Sequence, residues 1–389
     1  MVHYYSADYV MPVTSSPIKN GVIAMDENGT VLGIYDNDSV PKNVEIERFK
    51  GVLIPGFINA HCHLELSHLL GKISQKKGLV KFITEVMSNR SADDDVIQKA
   101  MDLADKAMYA NGIQAVGDHV NSAVSAKIKE DSKIVYHTFV EILGLREEEA
   151  AQKIDEAREI EFSFDSGHAS ITLHAPYSCS KVLFKAFKKS VSEDNIISIH
   201  NQESEEENKL FRYKTGEFLE FYEKIGFSAD EFKAQARNSI QTYMSYLPTG
   251  NKVILVHNTY TSLKDLDFIR RMGRDVVMCI CPKANLYIED ALPKVSIFEQ
   301  NGCEIAIGTD SLASNDTLSV LDELKVLHKH FPELDFNQTL KWATINGAKA
   351  LTLEESLGSL EVGKTPGLLL VKNMNHFKVT DKIEIERIA

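Results

Sequence analysis

Short, mostly apolar runs recur through the middle of the chain: Val52–Ile58, Ile113–Val116, Ile134–Val140, Ala169–Leu173, Ile196–Ile199, Val253–Val256, Val276–Ile280 and Glu304–Ile307. Between them lie longer stretches with helical spacing, among them 95–110, 180–192, 262–272, 316–330 and 336–351. Runs of this kind are what strands buried on both faces look like. Eight of them with helical connections predict an α/β chain folded as a parallel (β/α)8 barrel over residues 55–357. A doubly wound open sheet shares the alternation. The barrel is preferred because the polar residues that follow the runs would then meet at one mouth.

The two ends have a different rhythm. Gly21–Met25 and Val31–Tyr35 flank Asp26-Glu27-Asn28-Gly29-Thr30, and Asn-Gly between apolar runs predicts a hairpin. Leu368–Val371 is apolar, and Lys382-Ile383-Glu384-Ile385-Glu386 alternates as a half-buried strand does. Residues 1–54 and 358–389 are therefore expected to build one small sheet domain from both termini. Asp316-Thr317-Leu318 resembles a capped helix start. Segments 64–90 and 201–250 are expected to shape a pocket.

Composition narrows the class. The chain has 389 residues, a net charge of -13, 43% hydrophobic and 25% charged residues, as in a globular protein. An acidic surface without a basic stripe argues against nucleic acid or membrane as partner and leaves a small-molecule substrate, with homo-oligomerisation open. Five scattered cysteines (Cys62, Cys179, Cys279, Cys281 and Cys303) read as reduced thiols, and with no leader-like start the expected location is cytoplasmic. Cys279-x-Cys281 lacks the second half of a zinc-thiolate site and reads as packing.

The chemistry sits just past the runs. Run one leads into His61-Cys62-His63, run four into His174, run five into His200 and then Glu203, run six into His257, and run eight into Asp310. Imidazoles at i and i+2 of an extended segment project to one side and suit one metal ion. Three imidazoles and a carboxylate make a site for Zn²⁺, Fe²⁺ or Mn²⁺, so His61, His63, His200 and Asp310 are the expected ligands. Such an ion lowers the pKa of bound water to about neutrality. Glu203 and His257 are then acid/base candidates. Of the acidic cluster Glu203–Glu207, residues Glu205 to Glu207 read as a solvated helix start. His119 and His137 read as structural.

At these residues the chain resembles the amidohydrolase superfamily, in the metal-dependent branch that includes cytosine, guanine, methylthioadenosine/S-adenosylhomocysteine and aminodeoxyfutalosine deaminases and the triazine chlorohydrolases. The matching pieces are Pro55-Gly56-Phe57-Ile58-Asn59-Ala60-His61-Cys62-His63, His174-Ala175-Pro176-Tyr177-Ser178, His200-x-x-Glu203, His257 and Gly308-Thr309-Asp310-Ser311-x-x-Ser314-Asn315. The resemblance implies a distorted (β/α)8 barrel with a composite β-sandwich from both termini. It implies one divalent ion, Zn²⁺ first among the candidates, and hydrolytic loss of ammonia from a heteroaromatic amine by attack of metal-bound hydroxide. In those terms His257 orients or deprotonates water, Glu203 protonates a ring nitrogen, and Asp310 passes a proton to the departing amine. Run four ends in His174 rather than lysine, so no carboxylated lysine and no binuclear centre are expected.

For the substrate, His174, Glu65 and Glu141 are the candidate contacts, with Glu65 alternatively a partner for a ligand imidazole. The methylthioadenosine/S-adenosylhomocysteine deaminases carry an arginine near the place of Glu141. His61-Cys62-His63-Leu64-Glu65-Leu66-Ser67 looks instead like the aminodeoxyfutalosine deaminases, making 6-aminodeoxyfutalosine the expected substrate. Cys281-Pro282-Lys283-Ala284-Asn285 departs from the family's Asn-Pro-x-x-Asn, and Pro366-Gly367 stands where an Ala-Asp usually begins the returning sandwich strand. The rival readings are a chlorohydrolase or other C–N hydrolase of the same branch, and a catalytically silent binding protein on the same scaffold.

Overall fold

Each apolar run becomes a strand, and the first becomes two. The computed structural model describes residues 1–389 apart from Ser166, Asp230 and Glu231; the last two fall within the expected pocket segment 201–250. Val52–Pro55 and Phe57–Cys62 (β1) flank Gly56. A Cβ there would lie 2.7 Å from the Pro366 carbonyl oxygen and 3.0 Å from Gln114 Cβ, a gap that only glycine passes.

The other runs give Ile113–Val120 (β2), Val135–Ile142 (β3), Ala169–Leu173 (β4), Ile197–Asn201 (β5), Val253–His257 (β6), Val276–Ile280 (β7) and Glu304–Ile307 (β8). They pair as two four-stranded parallel sheets, ordered β4-β3-β2-β1 and β5-β6-β7-β8. The edges of the two sheets meet. Beside β4 and β5, the His200 N–H donates to the His174 carbonyl (3.0 Å) and the Thr172 hydroxyl to the Ser198 carbonyl (2.6 Å). Beside β1 and β8, the N–H groups of Thr309 and Asp310 donate to the His61 carbonyl (3.0 and 3.1 Å), and the Asn59 amide bonds Thr309 through both its nitrogen and its oxygen (2.8 and 3.0 Å).

Alternation along the strands divides the core. Ile58, Ala60, Ala115, Phe139, Ile254, Val256, Val277 and Ala306 belong to one buried cluster. Their neighbours Phe57, Val116, Val140, Ile199, Leu255, Met278 and Ile305 belong to a larger one. Both faces of each strand are covered, which is why the runs lack a polar alternation.

Two helices depart from expectation. Of 316–330, only Val320–His330 is helical, capped by Ser319, whose hydroxyl accepts the Asp322 N–H (3.3 Å). Asp316 and Thr317 instead donate their N–H groups to the Asn315 side chain (2.9 and 3.3 Å), and Asp316 pairs with Lys283. The stretch 336–351 divides into Phe336–Trp342 and Ile345–Ala350. The Ala343 carbonyl accepts the Ile58 N–H (2.8 Å), so the chain bends there to reach β1.

The Asn-Gly hairpin forms, joining antiparallel strands Val22–Asp26 and Val31–Tyr35. Gly29 takes φ 79°, and the Asp26 carboxylate accepts the N–H groups of Asn28 and Thr30 (2.9 and 2.8 Å). The two ends of the chain also pair: Leu368–Lys372 runs antiparallel to Val52–Pro55 and to Glu384–Arg387. A buried cluster including Val10, Ile23, Met25, Leu53, Leu368 and Leu370 draws on both terminal segments. Among the described residues, no helix is long and apolar enough to cross a membrane.

One buried ion pair stands beside β1. Lys129 Nζ lies 2.6 Å from the Asp118 carboxylate, with side chains only 5% and 0% exposed. The other Asp118 oxygen accepts the Leu64 N–H (2.7 Å), so the pair holds the backbone just past His63. Lys129→Met should strand a buried carboxylate and cost about 3–5 kcal/mol of stability. Urea unfolding checks this; an unchanged midpoint would show the pair to be idle.

Candidate active site

The ends of β1, β5, β6 and β8 deliver the predicted polar residues to one point. His61 Nε2 and His63 Nε2 each lie 3.7 Å from Asp310 Oδ1. His63 Nε2 lies 3.2 Å from His200 Nε2. Ligand nitrogens at about 2.0–2.1 Å from a tetrahedral centre sit roughly 3.3 Å apart, so these spacings bracket the edge of a zinc-sized site. His61 is fully buried, and neither of its ring nitrogens has a hydrogen-bond partner among the described residues. A buried nitrogen left unmatched needs an explanation, and a divalent cation would engage Nε2, the nitrogen that faces Asp310. The donor set therefore fits such an ion.

Two of the ligand candidates, His200 and Asp310, are oriented from behind. The His200 Nδ1–H donates to the His174 carbonyl (2.7 Å), leaving Nε2 with its lone pair toward His63. Asp310 has a left-handed backbone (φ 57°) and accepts the Ser314 hydroxyl on its second oxygen. Gly308 precedes it in β8's exit: a Cβ there would lie 2.7 Å from His61 Cβ and 2.9 Å from Cys281 Sγ. Cys279 and Cys281 are both buried against that glycine.

The acid/base candidates face each other across 3.6 Å, from Glu203 Oε1 to His257 Nε2. Burial pushes the Glu203 carboxyl well above the usual range, and the carboxylates of Asp310, Glu289 and Glu207 push it further. Burial lowers the His257 imidazole. Its Nδ1–H donates to the Asn285 side-chain oxygen (2.9 Å), so Nε2 is the free nitrogen facing Glu203. Burial would raise the Asp310 carboxyl, but the imidazoles of His61, His63 and His257 outweigh it and hold Asp310 ionised.

The three expected substrate contacts are placed differently from one another. His174 lines the cavity, with Nδ1 bonded to the Ser178 hydroxyl (2.8 Å). Glu141 also lines it, but its oxygens are committed to His119 Nδ1 (2.9 Å) and the Asn121 amide (3.2 Å). Glu65 is not on the cavity wall. Its carboxylate turns away to accept the Ser122 hydroxyl (2.8 Å) and the Asn121 N–H (3.1 Å), with Arg90 at 3.7 Å.

His119 stands nearer the centre than a packing residue needs to. With His61, His63 and His200 it offers ring nitrogens all within 4.8 Å of one another. Both its nitrogens are engaged, Nδ1 with Glu141 and Nε2 with the Ser198 hydroxyl (2.8 Å), so it props the cluster. Glu141, His174 and His200 form a second such group, sharing His200. His137 bonds Ser170 (3.0 Å) and lies outside both groups.

Sequence reasoning named Ser314 and Asn285 only as members of motifs, without a role, and overlooked Asp118. The first two were visible as the polar members of Ser311-x-x-Ser314-Asn315 and Pro282-x-x-Asn285; no local pattern marks Asp118. Glu207, expected at a solvated helix start, is fully buried, because the helix Glu205–Tyr213 turns that face under the β5 exit.

A cavity of about 390 Å³ opens above these groups. His63, His174, His200, Glu203, His257 and Asp310 line its base. Its walls are apolar, with Phe82, Val86, Leu143, Phe221 and Phe227, and Arg90 and Arg146 also line it.

Known proteins resemble this chain in sequence and fold. The amidohydrolase family pattern matches residues 52–385. An adenosine deaminase of Helicobacter pylori is 27% identical over 356 residues, covering 89% of this chain and 85% of the relative. A 5'-deoxyadenosine deaminase of Methanosarcina acetivorans is 25% identical, covering 93% and 82%. In fold, the chain is similar to Helicobacter pylori aminofutalosine deaminase crystallised with methylthio-coformycin, with a TM-score of 0.81, 23% identity and all of both chains covered. The match extends over most of the sequence and every strand that carries a site residue, and the chain belongs to the amidohydrolase family.

Proposed function

We propose that this protein is a hydrolytic deaminase of a purine nucleoside-like amine, with 6-aminodeoxyfutalosine as its substrate. It is a hydrolase of carbon–nitrogen bonds other than peptide bonds. The observation that carries the reading is the pairing of buried Glu203 with His257, 3.6 Å apart, in the same cavity that His63, His200 and Asp310 line. In this reading β1 to β8 close into a distorted (β/α)8 barrel over residues 55–357, and residues 1–54 and 358–389 form a composite β-sandwich.

His61, His63, His200 and Asp310 would hold one divalent cation, Zn²⁺ by preference. When bound it supplies Lewis acidity, bringing the ionisation of water near neutral pH. His257, with Nδ1 fixed by Asn285, presents Nε2 to orient water and accept a proton from it. Glu203 gives its proton to the ring nitrogen beside the carbon under attack, where electron density accumulates. Asp310, kept ionised by the imidazoles around it, relays a proton to the leaving amine. A C–O bond forms, the exocyclic C–N bond breaks, and ammonia leaves with the ring as a lactam.

Apolar walls together with Arg90 and Arg146 favour a nucleoside whose sugar carries an aromatic, carboxylate-bearing extension over plain adenosine. Ammonia release from adenosine, 5'-deoxyadenosine, 5'-methylthioadenosine and 6-aminodeoxyfutalosine tests this. The expected result is a kcat/KM for 6-aminodeoxyfutalosine at least about tenfold above that for adenosine. Ammonia from none of them, or chloride released from a chlorinated ring without ammonia, would overturn it.

A further inference from the structure

Between the β5 ligand His200 and the acid Glu203 stands Gln202, fully buried and absent from the cavity wall. Its backbone is left-handed, with φ 45°. A residue with a side chain keeps that conformation when its surroundings over-determine it. Here every polar group of Gln202 is bonded. Its N–H donates to Glu207 Oε1 (3.1 Å), and its carbonyl accepts the Tyr260 N–H (2.9 Å). Its side-chain nitrogen donates to Asn208 Oδ1 (3.1 Å) and Asp265 Oδ2 (3.2 Å), and its side-chain oxygen accepts the Thr261 hydroxyl (2.8 Å).

The supports are themselves anchored. Buried Asp265 also accepts from the amides of Asn238 (2.6 Å) and Gln241 (2.7 Å) and from the N–H and hydroxyl of Ser262 (3.0 and 2.6 Å). All these donors are uncharged, so a saturated hydrogen-bond shell stands in for a counter-ion. The Glu207 carboxyl faces the backbone N–H of Glu203 as well as that of Gln202. On the other side, the Asn258 N–H donates to the Asn201 carbonyl (3.0 Å). With the Tyr260 bond, this ties the β5 exit to the β6 exit that carries His257.

We propose that Gln202, held by Glu207, Asp265 and Thr261, is a positioning residue that sets the Glu203 carboxyl against His257. Gln202 itself touches neither substrate nor reacting atoms. The inference rests on the assignment of Glu203 as proton donor, and a cycle of variants separates the two claims.

The metal-loaded full chain is assayed with 6-aminodeoxyfutalosine, or with 5'-deoxyadenosine if that is turned over faster. Gln202→Ala should lower kcat about 10- to 100-fold, with KM and ion content within about twofold, since a small displacement of a catalytic group costs rate rather than binding. In the Glu203→Gln background the same substitution should change kcat by less than about twofold, because the residue through which it acts is already disabled. Thr261→Val removes the donor to the Gln202 oxygen, together with a longer contact from the Asn201 amide (3.4 Å), and should show the same pattern with a smaller loss, deciding the matter if Gln202→Ala does not fold. Equal losses in both backgrounds, or no loss in either, would overturn the positioning role. If Glu203→Gln alone matches the wild type, the fault lies with the acid assignment instead.

Discussion

Replacing His61 by alanine is expected to remove bound metal and turnover together. His61 is 0% exposed, its ring lies edge-on to those of His63, His119 and His200, and neither nitrogen has a partner among the described residues. Packing alone explains such an imidazole poorly, and an ion would engage its Nε2. Without it, water loses the Lewis acid that brings its ionisation near neutrality, so turnover should drop more than about 10⁴-fold, beyond what a general acid contributes. Elemental analysis of protein purified without chelator should find about one ion per chain in the wild type and far less in His61→Ala. Dialysis against a chelator should abolish wild-type activity, and added Zn²⁺ should restore it. Zn²⁺ should also raise the melting temperature of the wild type and not of the variant, since a ligand at a thousandfold excess over Kd stabilises by about 4 kcal/mol. A His61→Ala protein that keeps both its ion and its rate would remove this residue from the centre.

Glu203→Gln should keep the ion and the fold while kcat falls about 10²–10⁴-fold, the usual contribution of general acid catalysis. The amide has the carboxyl's shape but no proton to give. The pH dependence distinguishes this from a disturbed pocket. As a general acid Glu203 acts only in its protonated form; burial and the neighbouring Asp310, Glu289 and Glu207 carboxylates raise its pKa, so the rate should fall as pH rises through that raised value. The variant's residual rate should lack this high-pH fall. Unchanged turnover, or an identical pH profile at reduced rate, would assign the proton to another group.

Much of this site was legible because its ligands follow buried strands. A run such as Ile196–Ile199 is apolar on both faces, so the histidine after it stands out, and parallel strands bring such residues to a common end. What local patterns could not show is how tertiary contacts spend a side chain. Glu65 and Glu141 sit where a substrate contact was expected, yet Ser122 and the Asn121 backbone claim the first, and His119 and the Asn121 amide claim the second. Glu207 lies in an acidic cluster that reads as solvent-facing, and the β5 exit buries it. The helical stretch 336–351 divides because one carbonyl is taken by Ile58, more than 250 residues away in sequence. Asp316-Thr317-Leu318 has the composition of a cap, and Asn315 and Lys283 draw Asp316 and Thr317 into a turn instead.

The donor set is split between the two parallel sheets: His61 and His63 follow one, His200 and Asp310 the other. During synthesis the first pair leaves the ribosome long before the second. A nascent or truncated chain that ends before His200 therefore carries only half of the proposed donor set. On the proposed ligand assignment, the full set exists only once Asp310 has emerged and both halves have docked, which would make a completed chain a condition of activity.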